Sequence, residues 1–247
     1  MPLIQAGGHQ LEYEQIPGHP TIVFLHEGLG SLAMWKNFPG QLAEAAGCGA
    51  LIYSRYGYGR SEPLRGARTP DFMHREAQTT LPDLLQKLEI DRPILFGHSD
   101  GASIALIYAA THLVRGSILL APHLFVEEIS LASIREIQSH YDSSDLKSRL
   151  ARYHDHPDST FRGWSDIWLN PDFRSWNIEN FLPRIASPVL VIQGLDDQYG
   201  TMEHLERIEQ RVPGTQVLKV SNCRHSPHID QPDAVIKAST SFISSLR

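Results

Sequence analysis

The stretch Phe96-Gly97-His98-Ser99-Asp100-Gly101 decides our interpretation of the fold. An apolar run from Pro93 to Phe96 leads into it, and small and apolar residues continue from Gly101 to Leu106. A strand that turns sharply into a helix needs glycine two positions before and after the apex, where side chains would collide. The turn holds the hydroxyl of Ser99 clear of the sheet, where a base can reach it. We therefore interpret Ser99 as a nucleophile.

An aspartate directly after the serine raises the question of which residue occupies the apex. Centred on Asp100, the positions two before and two after are His98 and Ala102, and neither is glycine. The glycines therefore favour Ser99 as the nucleophile. We expect Asp100 to contribute its backbone N–H, and His98 to pack or to form a hydrogen bond.

A serine nucleophile needs a base, and the base needs a carboxylate that orients it. A buried strand ending at Gly194 is followed at once by Asp196 and Asp197. Acids at the carboxyl end of a parallel strand face the same sheet edge as the serine, so either aspartate could serve. The loop after one further strand carries His225 and then His228. The chain contains 13 histidines, so a histidine becomes a candidate base only through its position in this loop. In the chain order serine, acid, histidine, we expect His225 to be the base and His228 to be structural or to line the pocket.

Backbone N–H groups must face the negative charge that develops when a serine attacks a carbonyl. One such group is expected from Asp100, at the start of the helix after the serine. The other is expected from the glycine-rich loop His26–Ser31, which follows the predicted strand Thr21–Leu25. We favour Gly28 as this donor, with Leu29 as second choice, because glycine lets the backbone turn its N–H inward.

These features together resemble the α/β-hydrolase fold superfamily, and the resemblance runs from about Thr21 to the C-terminus. It looks closest to the serine-nucleophile branch of small esterases, meta-cleavage-product C–C hydrolases and related amidases, since the loop Cys223–Pro232 is similar to that branch's histidine loop. The resemblance implies an α/β fold with a mostly parallel eight-stranded sheet, flanking helices and a helical cap insertion. It also implies Asp197 rather than Asp196 as the acid, from the usual strand-Gly-x-x-Asp spacing.

Three residues depart from the pattern of that superfamily. Glu27 stands where a glycine usually follows the histidine of the loop, and Arg224 stands where a glycine usually precedes the base. Asp100 is an unusual acid beside the nucleophile. None of these departures removes a catalytic atom, and each of them bears on the choice of substrate.

The chain divides into a predicted core and a predicted cap. The roughly 60 residues between Pro122 and Ser187 are too many for a plain connection and need structure of their own. We predict a hydrolase core of residues 1–122 and 187–247 and a helical cap of residues 123–186. Helices are predicted at Asp71–Leu88, Ile129–His140 and Ser144–Tyr153.

Several side chains are candidates for contact with a substrate beneath the cap. We choose Trp164 as a pocket wall, and expect at least two of the cap's three tryptophans to hold the cap to the core. His123 follows the carboxyl end of a strand and Glu27 lies in the glycine-rich loop, although a supporting hydrogen bond would explain both equally well. The candidates for substrate binding are Glu27, Leu29, His123 and Trp164.

The stretch His154-Asp155-His156-Pro157-Asp158 alternates histidine with carboxylate, a pattern that can bind zinc. No further cluster of ligands stands out nearby in the sequence, and a mechanism based on serine, histidine and aspartate needs no metal. We interpret the stretch as a solvated loop, and we expect neither a metal ion nor an organic cofactor.

Composition limits the partners and the compartment. At 247 residues the chain can bury one sizeable core, and its net charge of −6 argues against nucleic acid or an anionic membrane as partner. Its first residues lack the pattern of a secretory signal, and no stretch approaches the roughly 20 apolar residues of a membrane span. Cys48 and Cys223 give no disulfide framework. We expect a cytoplasmic protein that acts on a small molecule; the sequence does not indicate its oligomeric state.

Three functions agree with these residues. The first is a serine hydrolase that cleaves a small carboxylic ester, amide or thioester through an acyl-enzyme. The second is a C–C bond hydrolase of a meta-cleavage-type diketone in aromatic catabolism, for which Arg162 and Arg224 are candidates to face a substrate carboxylate. The third is a non-catalytic ligand receptor that keeps the fold, although such receptors often lack one of the catalytic residues and none is missing here.

Overall fold

A twisted sheet of eight strands forms the centre of the computed structural model, which describes residues 1–246. The strands follow one another in space as β1-β2-β4-β3-β5-β6-β7-β8. The pairs β1–β2 and β2–β4 are antiparallel, and all the following pairs are parallel. The strands are β1 (Leu3–Ala6), β2 (His9–Ile16), β3 (Thr21–Leu25), β4 (Gly49–Tyr53), β5 (Ile94–His98), β6 (Gly116–Leu120), β7 (Val189–Gly194) and β8 (Gln216–Val220). The predicted mostly parallel, eight-stranded sheet is confirmed.

Helices cover both faces of the sheet. They are α1 (Phe38–Ala46), α2 (Phe72–Arg75), α3 (Leu81–Lys87), α4 (Asp100–Ala109), α5 (Glu128–His140), α6 (Leu146–Leu150), α7 (Pro157–Leu169), α8 (Glu203–Arg211), α9 (Pro227–Asp230) and α10 (Pro232–Ser245). Short 3₁₀ turns occupy Leu32–Trp35, Pro171–Phe173 and Glu179–Arg184. None of the helices in residues 1–246 is long and apolar enough to cross a lipid bilayer.

The central strands are buried on both faces because helices pack against each side, as in other parallel sheets. One apolar cluster joins the sheet to α4 and to the segment between β6 and β7, through side chains such as Leu106 and Trp168. A second cluster joins the opposite face to α1 and α10, through Leu42 and Phe242. Every residue of α4 is buried, so this helix lies inside the molecule beneath the segment that follows β6.

The predicted helix from Asp71 to Leu88 is present but not uniform. It consists of α2 and α3, which are joined by a π-helical stretch at Glu76–Thr80. Buried Glu76 on this stretch accepts a hydrogen bond from the hydroxyl of Tyr53, at 2.7 Å. A π-helical turn has no signature in apolar spacing, so the periodicity alone predicted a regular helix.

The segment between β6 and β7 carries α5, α6 and α7. Of the two helices predicted there, one is α5 almost residue for residue, while the other is shortened to α6. The helix α7 was not predicted, although Pro157 at its start and apolar Phe161, Trp164 and Trp168 at helical spacing are signals for it. The division of the chain into core and cap stays a prediction.

The interpretation of His154 as part of a solvated loop is wrong. This side chain is buried and accepts a hydrogen bond from the N–H of Gly59, at 2.9 Å, through its Nδ1. Its Nε2 donates to the carbonyl of Leu29, also at 2.9 Å. The ring therefore joins the segment after β6 to the loop after β3, a pairing across the fold that a local pattern cannot reveal.

The turn between β5 and α4 is as tight as the sequence predicts. Ser99 at its apex has a φ of 54°, a left-handed conformation that non-glycine residues adopt rarely. A Cβ on Gly97 would lie 2.5 Å from the carbonyl oxygen of Gly101, and a Cβ on Gly101 would lie 2.0 Å from that of Leu25. Neither backbone can give way without moving the sheet, so both glycines are required for the turn.

We expect Gly101→Ala to lower the free energy of unfolding by about 3 kcal/mol or more, because the new methyl meets backbone rather than a mobile side chain. The matched control is Gly40→Ala in α1, where the nearest atom to a new Cβ is 3.9 Å away, on Ile16. That control should gain about 1 kcal/mol from helix propensity. Urea denaturation of both variants measures the difference, and equal stabilities would contradict the close approach of α4 to β3.

Candidate active site

Three side chains at the carboxyl edge of the sheet form a continuous hydrogen-bonded chain. The Oγ of Ser99, at the apex between β5 and α4, lies 2.9 Å from the Nε2 of His225, in the loop after β8. The Nδ1 of His225 lies 2.9 and 3.0 Å from the two carboxylate oxygens of Asp197, in the loop after β7. A ring that donates from Nδ1 to a carboxylate presents an unprotonated Nε2, which can accept the serine proton.

Asp197, rather than Asp196, meets the histidine. The side chain of Asp196 is exposed, whereas the Asp197 carboxylate is buried and also accepts from the N–H of Tyr199, at 2.8 Å. Burial acts to raise the pKa of Asp197, but the adjacent His225 ring and this N–H outweigh it and hold the pKa below its ordinary value. The carboxylate is therefore ionised near neutral pH and can stabilise a protonated His225.

The two expected oxyanion donors come from two different elements beside the serine. Asp100 begins α4, and Gly28 lies in the loop after β3; both line the same cavity as Ser99. Within residues 1–246, the N–H groups of Gly28 and Asp100 donate to no protein acceptor. Leu29, the second choice for the loop donor, lines the cavity as well.

The cavity above Ser99 has a volume of about 190 Å³. All four residues that the sequence suggested for substrate binding line it. Sequence reasoning missed six further residues that also line the cavity, although α5, which carries two of them, was predicted. These residues are Ser130, Ile134, Trp168, Gln198, Tyr199 and Ser226.

Two indole rings from α7 line the same cavity as the serine. The Nε1 of Trp168 donates to the carboxylate of Asp100, at 3.2 Å. Trp164 lies so close to the loop after β3 that a Cβ on Gly28 would be 2.1 Å from its Nε1. The four-residue spacing of the tryptophans places both on one face of α7, which is the signal that could have identified Trp168.

The side chain of Asp100 has surroundings that the sequence did not suggest. It is buried, and one of its oxygens lies 3.9 Å from the Nη2 of buried Arg55. Burial raises the pKa of Asp100 above its ordinary value, and the positive charge of Arg55 opposes this effect. The expected catalytic role of Asp100 concerned its backbone N–H, no partner was predicted for its carboxylate, and Arg55 was not singled out.

Glu27 and His98 connect the cavity to the backbone of His225. The Nε2 of His98 donates to the His225 carbonyl, at 2.7 Å, as expected for a residue that supports the apex. Its Nδ1 lies 3.5 Å from the Glu27 carboxylate, which is one quarter exposed. Burial acts to raise the pKa of Glu27, but His98 outweighs it and lowers that pKa far below its ordinary value. A negative charge therefore lines the cavity.

His123 forms part of the wall beside the base. Its ring centroid lies 5.6 Å from that of His225 and 5.1 Å from that of Trp168. Burial lowers the pKa of His123 well below its ordinary value, so the ring is neutral. Residues 1–246 contain no group of three or more His, Cys, Asp or Glu side chains arranged to hold a metal ion.

Comparison with known proteins identifies the family of this chain. The sequence profile of the family described as "Alpha/beta hydrolase family" matches residues 22–238. The chain belongs to this family. It is accordingly an enzyme of the hydrolase class, with the helix-flanked sheet that the family's fold requires.

Curated relatives of this hydrolase cover most of its length. Serine hydrolase BPHL of Homo sapiens is 27% identical over an alignment of 254 positions, which covers 97% of this chain and 85% of the relative. The 2-hydroxy-6-oxononadienedioate/2-hydroxy-6-oxononatrienedioate hydrolase 2 of Pseudomonas putida is 24% identical and spans 87% of this chain and 85% of its own.

A solved structure with the same fold is that of the enol-lactonase from Burkholderia xenovorans LB400. It superimposes with a TM-score of 0.79 at 21% identity and covers 98% of this hydrolase and 100% of the lactonase chain. At this level of identity the likeness concerns the fold.

His228 gives a pH-dependent prediction for this hydrolase. Its buried ring packs against Trp35 and Phe38, and burial, followed by the nearby His98, lowers its pKa to about 3. In the unfolded chain this ring binds a proton below a pH of about 6.5, whereas in the folded chain it binds one only near pH 3. The free energy of unfolding therefore falls as the pH drops below about 6.5.

We expect His228→Phe to make the free energy of unfolding less dependent on pH between about 6 and 4, by about 1.4 kcal/mol per pH unit. Urea denaturation at pH 7, 6, 5 and 4 measures this slope. His140→Gln, which removes an exposed histidine from α5, serves as the control and should keep the wild-type slope. An unchanged slope in His228→Phe would mean that this ring accepts a proton while the protein is folded.

Proposed function

We propose that this hydrolase cleaves a small carboxylic ester, amide or thioester by transfer of the acyl group to Ser99 and then to water. The observation that carries the proposal is the hydrogen-bonded chain from the Ser99 hydroxyl through His225 to Asp197. All the groups needed for acyl transfer, namely nucleophile, base, orienting carboxylate and backbone donors, line or adjoin one cavity. A non-catalytic receptor would not need them together.

In the proposed mechanism, His225 takes the Ser99 proton while the serine oxygen attacks the substrate carbonyl carbon. The carbonyl oxygen becomes an oxyanion, which accepts hydrogen bonds from the N–H groups of Gly28 and Asp100. The tetrahedral intermediate collapses, and the leaving group departs with the proton from His225. Water then attacks the acyl-enzyme by the same route, and Ser99 regains its proton. Asp197 keeps its negative charge throughout and stabilises the protonated ring.

The walls of the cavity support a short substrate. Its apolar lining includes Leu29, Ile134, Trp164 and Trp168, and the cavity as a whole has a volume of about 190 Å³. In the proposal, residues 123–186 act as a cap that excludes water from the acyl-enzyme until hydrolysis. A cytoplasmic location, and a small-molecule substrate rather than nucleic acid or membrane, belong to the same proposal.

The charge of the cavity favours uncharged or cationic substrates over anionic ones. Glu27 contributes an ionised carboxylate to its lining, whereas the carboxylate of Asp100 lies beside the buried Arg55, and no Lys or Arg of residues 1–246 lines the cavity itself. Arg162, a candidate for binding a substrate carboxylate, is exposed and instead pairs with Asp142 at 3.0 Å. Arg224, the other candidate, is exposed and outside the lining.

C–C bond hydrolysis is the second candidate function, and the likeness to the Pseudomonas putida hydrolase favours it. The substrate in that relative's name is a dicarboxylate. The same serine and histidine could attack a ketone after proton transfer, but the acidic lining lacks a cation for a substrate carboxylate. We therefore rank acyl transfer first.

We expect Ser99→Ala to lower turnover of a short p-nitrophenyl ester by at least about 10⁴-fold, because the nucleophile, base and carboxylate act as a unit. A fluorophosphonate probe should add one label to the wild type and none to Ser99→Ala, as read by intact mass. Ser239→Ala, which removes a buried serine from α10 on the far face of the sheet, is the control and should label fully. Full turnover by Ser99→Ala would refute the proposal.

We expect kcat/KM to depend on the charge of the acyl group. Among three esters of equal length, the one with a carboxylate should be at least about tenfold poorer than the neutral and ammonium esters, because Glu27 repels it at short range. Glu27→Gln should reduce this discrimination. Faster cleavage of a meta-cleavage dicarboxylate than of any of these esters would move the assignment to C–C bond hydrolysis.

A further inference from the structure

A buried arginine outside the hydrogen-bonded chain contacts the loop that carries the expected oxyanion donor. Arg55 follows β4, and its side chain is only 2% exposed. Its Nη2 donates to the carbonyl oxygen of Glu27, at 2.9 Å, and to that of His26, at 3.1 Å. A buried guanidinium is costly to desolvate, so these contacts compensate for a substantial cost of folding.

The carbonyl of Glu27 is held by three donors at once. Besides Arg55, it accepts from the Nδ1 of His26, at 2.7 Å, and from the N–H of Gly30, at 3.1 Å. The Nε2 of His26 accepts from the N–H of Arg55, at 3.1 Å, so a neutral ring carries its proton on Nδ1. Burial, followed by the charge of Arg55, lowers the pKa of His26, which keeps the ring neutral.

This arrangement determines where the N–H of Gly28 points. The carbonyl of Glu27 and the N–H of Gly28 belong to one peptide unit, which is planar and trans, so they point in opposite directions. A carbonyl directed at Arg55 in the interior therefore directs the N–H of Gly28 away from it, towards the cavity that both Gly28 and Ser99 line. Rotation of this peptide would break all three hydrogen bonds and leave the buried guanidinium of Arg55 with the carbonyl of His26 as its remaining acceptor in this loop.

Arg55 also adjoins the second donor. Its Nη2 lies 3.9 Å from the carboxylate of Asp100, whose N–H is the other expected contact of the oxyanion. A negative carboxylate this close to a developing oxyanion would oppose catalysis. The positive charge of Arg55 offsets that repulsion, because in a buried site a charge at this distance is only weakly screened.

We propose that Arg55 is a positioning residue that holds the Glu27–Gly28 peptide with its N–H turned towards the reacting carbonyl, so that the oxyanion hole is formed before substrate binds. The proposal rests on the proposed acyl transfer at Ser99. It also favours Gly28 over Leu29 as the loop donor, because the hydrogen bonds hold the peptide that carries the Gly28 N–H.

Arg68 provides a matched control. Both guanidinium groups lie over the ring of Tyr58, at 4.6 Å for Arg55 and 4.7 Å for Arg68. Arg68 donates to the carbonyl of Tyr56, at 3.1 Å, and in residues 1–246 it forms no hydrogen bond with the loop after β3. Arg68→Met therefore removes a similar cation and the same ring contact while leaving the Glu27 carbonyl in place.

The experiment compares Arg55→Met, Arg55→Lys and Arg68→Met with the wild type, using a short neutral ester. Fluorophosphonate titration gives the concentration of active sites, so that kcat refers to folded enzyme only. Affinity for an alkylboronic acid, whose serine adduct places an oxygen in the oxyanion hole, reports on the hole itself. Melting temperatures separate effects on stability from effects on chemistry.

For Arg55→Met we expect kcat to fall about 10²-fold, as when one oxyanion donor is lost, while KM changes less than threefold. Boronate affinity should fall in parallel with kcat/KM. Arg55→Lys keeps the positive charge and can keep one hydrogen-bond donor. Its kcat and its boronate affinity should therefore lie between those of the wild type and those of Arg55→Met. Arg68→Met should keep the wild-type kcat and boronate affinity, whatever its melting temperature.

A folded Arg55→Met with wild-type kcat and boronate affinity would overturn the proposal. An increase in KM alone would also overturn it, since it would make Arg55 a determinant of substrate binding. If Arg55→Met does not fold, Arg55→Lys decides by the same comparison. Failure of the proposed function would look different, because wild-type enzyme would then resist the fluorophosphonate and Ser99→Ala would keep its turnover.

Discussion

The close approach of two backbones, at Gly101 in α4 and Leu25 in β3, is the constraint on which the rest of the structure depends. The contact leaves no room for a side chain on Gly101. It brings the first turn of α4 against the end of a neighbouring strand, so the loop after β3 begins beside the apex that carries Ser99. Both N–H groups proposed as oxyanion donors, those of Gly28 and Asp100, therefore come from positions within a few residues of this one contact, and a shift of either element would separate them.

Local signals explain why so much of the fold could be predicted from the sequence. The turn around Ser99 depends on glycines two positions away, and short apolar runs identify β5, β6 and β7. Parallel strands carry their loops to the same edge, so chain order alone placed the loops of Asp197 and His225 beside the serine. These inferences needed only neighbours in sequence and the rules of parallel sheets.

Other features depend on pairs of residues far apart in the chain, and no local pattern contains them. His154 contacts Gly59 and Leu29, which lie 95 and 125 positions away. Arg55 contacts the loop after β3 from 28 positions away. In the sequence both residues lie in polar stretches that are typical of solvated loops. Only the fold shows that each forms hydrogen bonds with buried backbone carbonyls or N–H groups. Charge and polarity predict exposure on average, and buried residues that support a site are the exceptions.

The tryptophans of this hydrolase are concentrated around one place. Trp164 and Trp168 line the cavity, and the ring of Trp176 lies 6.2 Å from that of Trp168. The fourth, Trp35, lies 6.5 Å from the ring of His98 beside the serine. Since three of the four tryptophans line the cavity or adjoin a tryptophan that lines it, most of the tryptophan emission comes from the surroundings of the cavity. The protein thus contains its own optical reporter, and the entry of a ligand or the displacement of α7 can be followed by fluorescence without any attached dye.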